Sequence, residues 1–314
     1  MRGRVGIACA AMVVLLPALA WAADPVAVLT EIQVRRGQVH VRSVGDSDWS
    51  VPKPLQSLRP GDQVRVVGDG RAVLVFIGGR GTETVTQGNS PYSVSAKVEA
   101  GATDRVRAVI GGVTNFLLGQ QKERTFQSLS VRSVRSQPPA ILGPRETRVL
   151  PGNVVFEWAG SDRLRYNVRL VGAQGVIWKR DDVERKPLTY PASAPALAPG
   201  GRYVWELETK EHGVQAAQFE VASATDAAAV NDSLAVLTSA NAKGYTPATL
   251  SLMRAGLLLQ QRFYADARRE LEAGIAASPE EPTLYLLLGH VYDHIGLKQQ
   301  AANAFDEAEA LSTR

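Results

Sequence analysis

The sequence predicts a multidomain protein, mainly β, in which two β-rich domains are followed by an all-α region. Between residues 34 and 98, apolar and polar residues alternate in short runs separated by glycine and proline turns, as in half-buried strands. Alternating aromatic residues mark a second such region, at 141–221, and a helical period follows it. The expected segments are a signal peptide at 1–22, a β domain at 30–98, a helical connector and linker at 99–137, a β-sandwich at 138–222 and a helical region at 223–314.

The first residues predict export. Two arginines among the first four residues precede an apolar stretch from Val5 to Ala20, and Trp21-Ala22 completes an Ala-x-Ala cleavage site, which is the pattern of a secretory signal peptide. No later stretch approaches the ~20 apolar residues needed to cross a bilayer. We therefore expect a periplasmic protein, cleaved after Ala22, without stable membrane insertion.

Cysteine content and charge exclude several classes of function. Cys9 is the only cysteine and lies in the predicted signal peptide, so the mature chain would have no disulfide, thiolate metal site or cysteine nucleophile. The chain has 35 basic and 31 acidic residues, a net charge of +4. Nucleic-acid binding proteins carry a much stronger basic footprint, so we expect no nucleic-acid partner.

The first β domain is marked by a G-x-V-x-V strand, a tryptophan, an L-x-P-G-D-x-V turn and a strand that ends in phenylalanine. These features lie at Gly37, Trp49, Leu58, Gly61, Asp62 and Phe76. From Val34 to Val98 the chain resembles the FecR-like domain, a periplasmic β module named after the ferric-citrate signal regulator. In those regulators a membrane-spanning helix and a cytoplasmic anti-sigma segment precede the domain. Neither is recognisable here, so we do not expect the transmembrane signalling role to transfer.

A helix is predicted between Ala102 and Gln121. Its apolar residues share one helical face and are Val106, Val109, Ile110, Val113, Phe116 and Leu117. Because the flanks are basic, two interpretations stay open: a helix on the membrane surface, or a connector packed against the first β domain. The Pro138-Pro139 pair and the two polar residues before it then predict a linker.

The second β region predicts a sandwich of short strands. Residues Leu197 to Tyr203 read L-x-P-G-x-x-Y, which resembles the corner of fibronectin type III-like domains. The absence of cysteines disfavours the immunoglobulin version. Aromatic residues at every second position are more often core than ligand-binding.

A repeat of 34 residues organises the C-terminal region. Ala255, Leu258, Ala267, Leu271 and Pro279 recur as Gly289, Tyr292, Ala301, Phe305 and Thr313. Small and bulky residues at this spacing resemble tetratricopeptide repeats, from Thr246 to Ser312. Because two repeats are fewer than the three usually needed, the helix predicted at 227–242, or a partner, would complete the array.

No catalytic constellation is found. His290 and His294 have metal-ligand spacing on a helix, but Val291 stands where a zincin requires glutamate. The 78–81 glycine turn lacks the lysine and helix of a phosphate loop. We therefore expect a non-enzymatic protein without cofactor or metal.

The leading hypothesis is an exported scaffold or adaptor that mediates protein–protein interactions in the cell envelope, with envelope or periplasmic proteins as partners. An accessory sensor protein of a transmembrane signalling system and an envelope polysaccharide-binding protein, using exposed aromatics such as Trp49 or Trp178, are the alternatives. The resemblance to tetratricopeptide repeats implies that the first helix of each pair lines a binding groove. Candidate partner-binding residues are Arg254, Gln261, His290 and Asp293 in the groove, and Trp49 and Arg80 on the first β domain.

Overall fold

The computed structural model describes residues 24–34, 36–77, 81–95, 104–120, 138–152, 154–239 and 244–312. Within these ranges, β-sheets between residues 27 and 221 precede a region of five helices, which confirms the predicted order of a mainly β part and an α part. Three predicted features lie outside the described residues: the signal peptide, Arg80 and residues 136–137 of the linker.

The first β unit comprises residues 27–95. Its strands are β1 (Ala27–Gln33), β2 (Gly37–Arg42), β3 (Ser57–Leu58), β4 (Gln63–Gly68), β5 (Arg71–Phe76), β6 (Thr82–Val85) and β7 (Tyr92–Ser93). They form two sheets, in the orders β3-β1-β5-β6 and β2-β4-β7, which share one apolar core. The predicted turn is fixed by Asp62, whose carboxylate accepts hydrogen bonds from the N–H groups of Val44 at 2.9 Å and Arg59 at 2.8 Å. β1 was not predicted, because six of its seven residues are buried and no alternation marks it.

The second β unit comprises residues 140–221. Its strands are β8 (Ala140–Gly143), β9 (Thr147–Val149), β10 (Val155–Ala159), β11 (Tyr166–Gly172), β12 (Gly175–Val183), β13 (Leu188–Thr189), β14 (Arg202–Thr209) and β15 (Gly213–Val221). Two sheets, β13-β10-β8 and β12-β11-β14-β15-β9, enclose an aromatic core around Trp205 and Phe156. Trp178 stacks on Phe156, with ring centroids 5.7 Å apart. Trp178 is therefore partly buried against this core, and only part of its side chain stays exposed.

Among the described residues, the helical unit has one helix between the β units and five after them. The helices are α1 (Asp104–Gly119), α2 (Ala224–Thr238), α3 (Pro247–Gln260), α4 (Tyr264–Ala277), α5 (Pro282–His294) and α6 (Lys298–Ser312). α3 pairs with α4, and α5 pairs with α6. Small residues allow these close approaches: Ala255, Ala267 and Ala301 are fully buried, and a Cβ at Gly289 would lie 2.6 Å from the Phe305 ring.

The connector helix α1 packs on the other helices. Val106, Ile110, Val113 and Leu117 are at most 3% exposed and belong to the apolar core of the helical unit. Their helical spacing was predicted correctly. The expectation that α1 packs mainly against the first β domain was wrong, because α2 and α3 supply its principal contacts. The same contacts cover the apolar face that a membrane-surface helix would have to expose.

Two glycine-to-alanine changes test the packing of α5 against α6. Gly289→Ala should lower the free energy of unfolding by about 1–3 kcal/mol, because the new methyl group overlaps the Phe305 ring. The matched control is Gly111→Ala in α1, where the new methyl group meets no atom within 4 Å. It should raise stability by up to about 1 kcal/mol through helix propensity. Urea unfolding measures both, and equal shifts would contradict the close α5–α6 contact.

Candidate functional site

β1 carries a buried glutamate to the N-terminus of α3. Glu31 is fully buried, at a point where the register between β1 and β5 shifts. Its Oε1 accepts hydrogen bonds from the Thr249 N–H at 3.0 Å and from the hydroxyls of Thr249 and Thr246. Its Oε2 accepts one from Arg71 Nη2 at 3.1 Å. The Oγ1 of Thr246, the N-cap of α3, also accepts from the Thr249 N–H at 3.1 Å. A carboxylate of the first β unit thus reinforces the cap of α3, at a helix N-terminus where unpaired N–H groups and the helix dipole favour an anion.

Glu281 completes this contact from the helical side. It is the N-cap of α5 and accepts hydrogen bonds from the Thr283 N–H at 3.2 Å and the Thr283 hydroxyl at 2.8 Å. It also accepts one from the Ile32 N–H of β1 at 3.0 Å. Burial raises the pKa of Glu281 to about 8; the hydrogen bonds from Thr283 oppose this shift and the Glu31 carboxylate adds to it. In the folded protein Glu281 therefore keeps its proton to a higher pH than an ordinary glutamate does.

The second β unit caps α4. The first helical residues of α4 follow Phe263, which offers no side-chain cap. Thr147 of β9 replaces that cap, because its Oγ1 accepts a hydrogen bond from the Tyr264 N–H at 2.8 Å. The adjacent Arg148 N–H donates to the Arg262 carbonyl at 2.9 Å. The second β unit is thus fixed to the start of α4 by both side-chain and backbone bonds.

A buried ion cluster strengthens the same contact. Arg268 of α4 has a side chain only 3% exposed and lies between Glu157 of β10 and Glu272 of its own helix. Its Nη1 donates to Glu272 Oε1 at 2.8 Å, and Arg269 Nη1 donates to Glu157 Oε2 at 3.1 Å. Burial of such charges is tolerated only when they are paired and hydrogen-bonded, so this cluster fixes how β10 sits on α4.

The face of α3 that would line a groove is already occupied. A Cβ at Gly256 would lie 3.0 Å from Leu117 and 3.1 Å from Val113, both of α1. α2 and β1 also contact α3, and nine of its 14 residues are buried. The chain therefore fills this groove with its own connector helix.

The four predicted groove residues do not form one exposed surface. Arg254 pairs with Glu270 at 2.8 Å. Asp293 pairs with Lys298, and its side chain is 7% exposed. Gln261 is exposed beside a surface pocket of about 90 Å³ between α2 and α3.

His290, predicted to line the groove, is buried. The residue is 6% exposed, and its ring meets Phe305 edge-on at 5.1 Å. His294 Nδ1 lies 2.7 Å from the His290 carbonyl oxygen. Within the described ranges no three His, Cys, Asp or Glu residues are grouped as a metal site would require. Both histidines have contacts that belong to the fold.

Trp49 lies on the outer face of the β2-β4-β7 sheet. The guanidinium carbons of Arg42 and Arg65 lie 4.8 and 4.6 Å from the centroid of its ring. Cation–π attraction favours this arrangement. Trp49 is thus partly exposed and lies beside two cationic side chains.

Glu31, Glu281, Thr147 and Arg268 were not predicted. A buried acidic residue in an apolar run between Pro25 and Gly37 was the available signal for Glu31. Glu281 stands immediately before Pro282, and proline at the first helical position is a helix-start signal that identifies the preceding residue as a cap. The local sequence around Glu31 does not show that Thr249 is its hydrogen-bond partner, because the two residues are 218 positions apart.

Comparison with known proteins finds little similarity. No family model and no curated protein matches the chain. Among solved structures, the crystal structure of CopC from Methylosinus trichosporium OB3b is 16% identical and is matched over 28% of this chain and 96% of that one, with a TM-score of 0.21. A TM-score of this size does not establish a shared fold.

In the part of the chain that the structure describes, every helix is too short or too polar to cross a membrane.

Removal of the Glu31 carboxylate should loosen the first β unit from α3. In Glu31→Ala, we expect a loss of about 1–3 kcal/mol for each buried donor that loses its acceptor, together with faster hydrogen exchange at the Thr249 N–H. Glu83→Ala is the control, since the Glu83 carboxylate of β6 makes no side-chain hydrogen bond within the described residues. Its stability should stay within about 0.5 kcal/mol of the parent. Equal effects of the two changes would contradict the capping role.

The raised pKa of Glu281 predicts a pH-dependent stability. The folded protein holds a proton on Glu281 that the unfolded chain releases, so this stabilisation is complete below about pH 4.5 and is lost as the pH rises to about 8. Glu281→Gln keeps an uncharged acceptor and removes the titration. The free energy of unfolding of this variant minus that of the parent should rise with pH across this interval, by up to about 1.4 kcal/mol per pH unit. A difference that does not change between pH 5 and 8 would show that Glu281 is charged in the folded state.

Proposed function

We propose that this protein is an exported, non-enzymatic scaffold or adaptor that mediates protein–protein interactions in the cell envelope. In this proposal a FecR-like unit and a fibronectin type III-like sandwich are held by a short tetratricopeptide-like array. Export rests on the predicted signal peptide, and the absence of an enzymatic role rests on the lack of a catalytic motif in the sequence.

The observation that carries the proposal is that the helices are occupied by contacts within the chain. α3 and α5 contact the first β unit through Glu31 and Glu281, and α4 contacts the second through Thr147. α1 fills the face of α3. This arrangement supports a protein in which the helices hold the β units in place and the β units bind the partners. It does not favour a helical groove that binds a peptide.

The outer face of the five-stranded sheet supports a protein-binding role. Val176, Val171 and Val204 lie opposite one another across β12, β11 and β14. Val176 is 57% exposed and Val204 is 38% exposed. Exposed apolar residues in a row, with charged residues beside them, are typical of contact surfaces. We place the protein partner on this face.

Photocrosslinking in cells tests this assignment. A benzophenone amino acid at position 204 should give a discrete crosslinked product with an envelope protein. The same group at exposed Asp306 of α6 serves as the control and should not give that product. Val176→Asp should remove the product while the melting temperature stays unchanged. A product that forms equally from both positions, or that survives Val176→Asp, would contradict a partner on this sheet.

Export is tested on the same material. The protein recovered from the envelope should begin at Ala23 by mass spectrometry. A chain that retains Arg2 and Arg4 would contradict cleavage after Ala22 and place the protein in a membrane-anchored class.

A further inference from the structure

On the outer face of the β2-β4-β7 sheet, the positively charged side chains have no counter-ion among the described residues. β2 and β4 place His40, Arg42, Arg65 and two glutamines on this face, and the three strands contain no acidic residue. In the described part of the chain, Arg42 bonds only to the neutral Gln63, at 2.6 Å, and Arg65 has no side-chain hydrogen bond or ion pair. The two guanidinium groups thus lie against one indole ring. Among the described residues, Gln63 is the one hydrogen-bond acceptor that they have.

The second β unit provides an internal contrast. Arg169 also lies on the outer face of a sheet, but Glu208 accepts its hydrogen bond at 2.9 Å and Glu206 lies 3.9 Å away. Two glutamates of the same sheet thus balance the charge of Arg169. The charges beside Trp49 are not balanced in this way, so this face is suited to a ligand that brings the negative charge.

Unsatisfied polar atoms lie at the same place. The Nε of Arg65 and the Nδ1 of His40 are buried from solvent, and neither has a hydrogen-bond partner among the described residues. His40 and Arg65 face each other directly across β2 and β4. Buried polar groups are normally paired, so the cluster has unused hydrogen-bonding capacity.

We propose that the Trp49 face, formed by Trp49, Arg42, Arg65 and His40, binds an anionic polysaccharide through its carboxylate or phosphate groups. The planar guanidinium fork matches such oxyanions with two parallel hydrogen bonds. This inference rests on the proposed role as an envelope scaffold and names what its first β unit attaches to.

The surroundings of the cluster favour a polysaccharide over an acidic peptide. Gln38, Gln63 and Ser93 flank the arginines and offer donors and acceptors that suit sugar hydroxyls. Val67 is the exposed apolar residue that β4 adds to this face. A protein interface would need a larger apolar centre. Guanidinium groups also lie against the indole ring, which favours a charged polymer over a neutral sugar that stacks on it.

Calorimetric titration of the purified protein tests this proposal. Polygalacturonate should bind, and its fully methyl-esterified form, which has the same backbone without charge, should not. Arg42→Gln combined with Arg65→Gln should weaken binding at least about tenfold. Arg65→Lys keeps the charge without the fork and should weaken it about threefold. Arg169→Gln removes one charge from the second β unit and should leave binding unchanged, and melting temperatures establish that each variant is folded.

Three results would overturn the assignment: equal binding of the esterified polymer, binding that survives the double change, or tighter binding of poly-L-glutamate at the same carboxylate concentration. The last would identify an acidic peptide as the ligand. These titrations need neither export nor a protein partner, so their failure is distinguishable from failure of the scaffold proposal. Binding that weakens with added salt would support a charge-based site.

Discussion

The β units add hydrogen bonds to the N-termini of two helices, α3 and α4. An α-helix leaves its first four N–H groups without an internal partner. Here Glu31 accepts from the start of α3, and Thr147 accepts from the start of α4. At α5 the helix provides its own cap, Glu281, which in turn holds the Ile32 N–H of β1. Because these bonds cross between units, the helices and the two β units stabilise one another. α1 and β1 also cover part of the surface of α3.

Buried charge gives these contacts their specificity. Two apolar surfaces can shift relative to one another at little cost. A buried carboxylate or guanidinium is stable only when its hydrogen-bond and ion-pair partners are in place. Glu31 needs two threonines and Arg71, and Arg268 needs Glu157 and Glu272. A displaced first unit would separate Glu31 from its threonines, and a displaced second unit would separate Glu157 from Arg268. The polar cluster therefore selects one arrangement of the units, at a cost in desolvation that the paired hydrogen bonds offset.

The sequence predicts well the features that depend on local periodicity. The order of β-rich and helical regions and the buried face of α1 follow from spacing alone. β1 escaped prediction because both of its faces are buried, which erases the alternation that identifies a strand. The interunit contacts escaped it because capping partners such as Glu31 and Thr249 are remote in sequence. His290 was predicted to line a binding groove, but it is buried and packs against Phe305.

The two exposed faces differ in chemistry, and this difference follows from their sequences. The outer face of the second unit carries a valine row and an arginine that is paired with glutamates. The outer face of the first unit carries two arginines on a tryptophan, with no acidic residue in its strands. A ligand that binds only the folded first unit stabilises it by mass action. Because that unit caps α3 and supports α5, the added stability extends to the helices and, through α4, to the second unit. A ligand on the Trp49 face of the first unit would thus also stabilise the second unit, which carries the valine row.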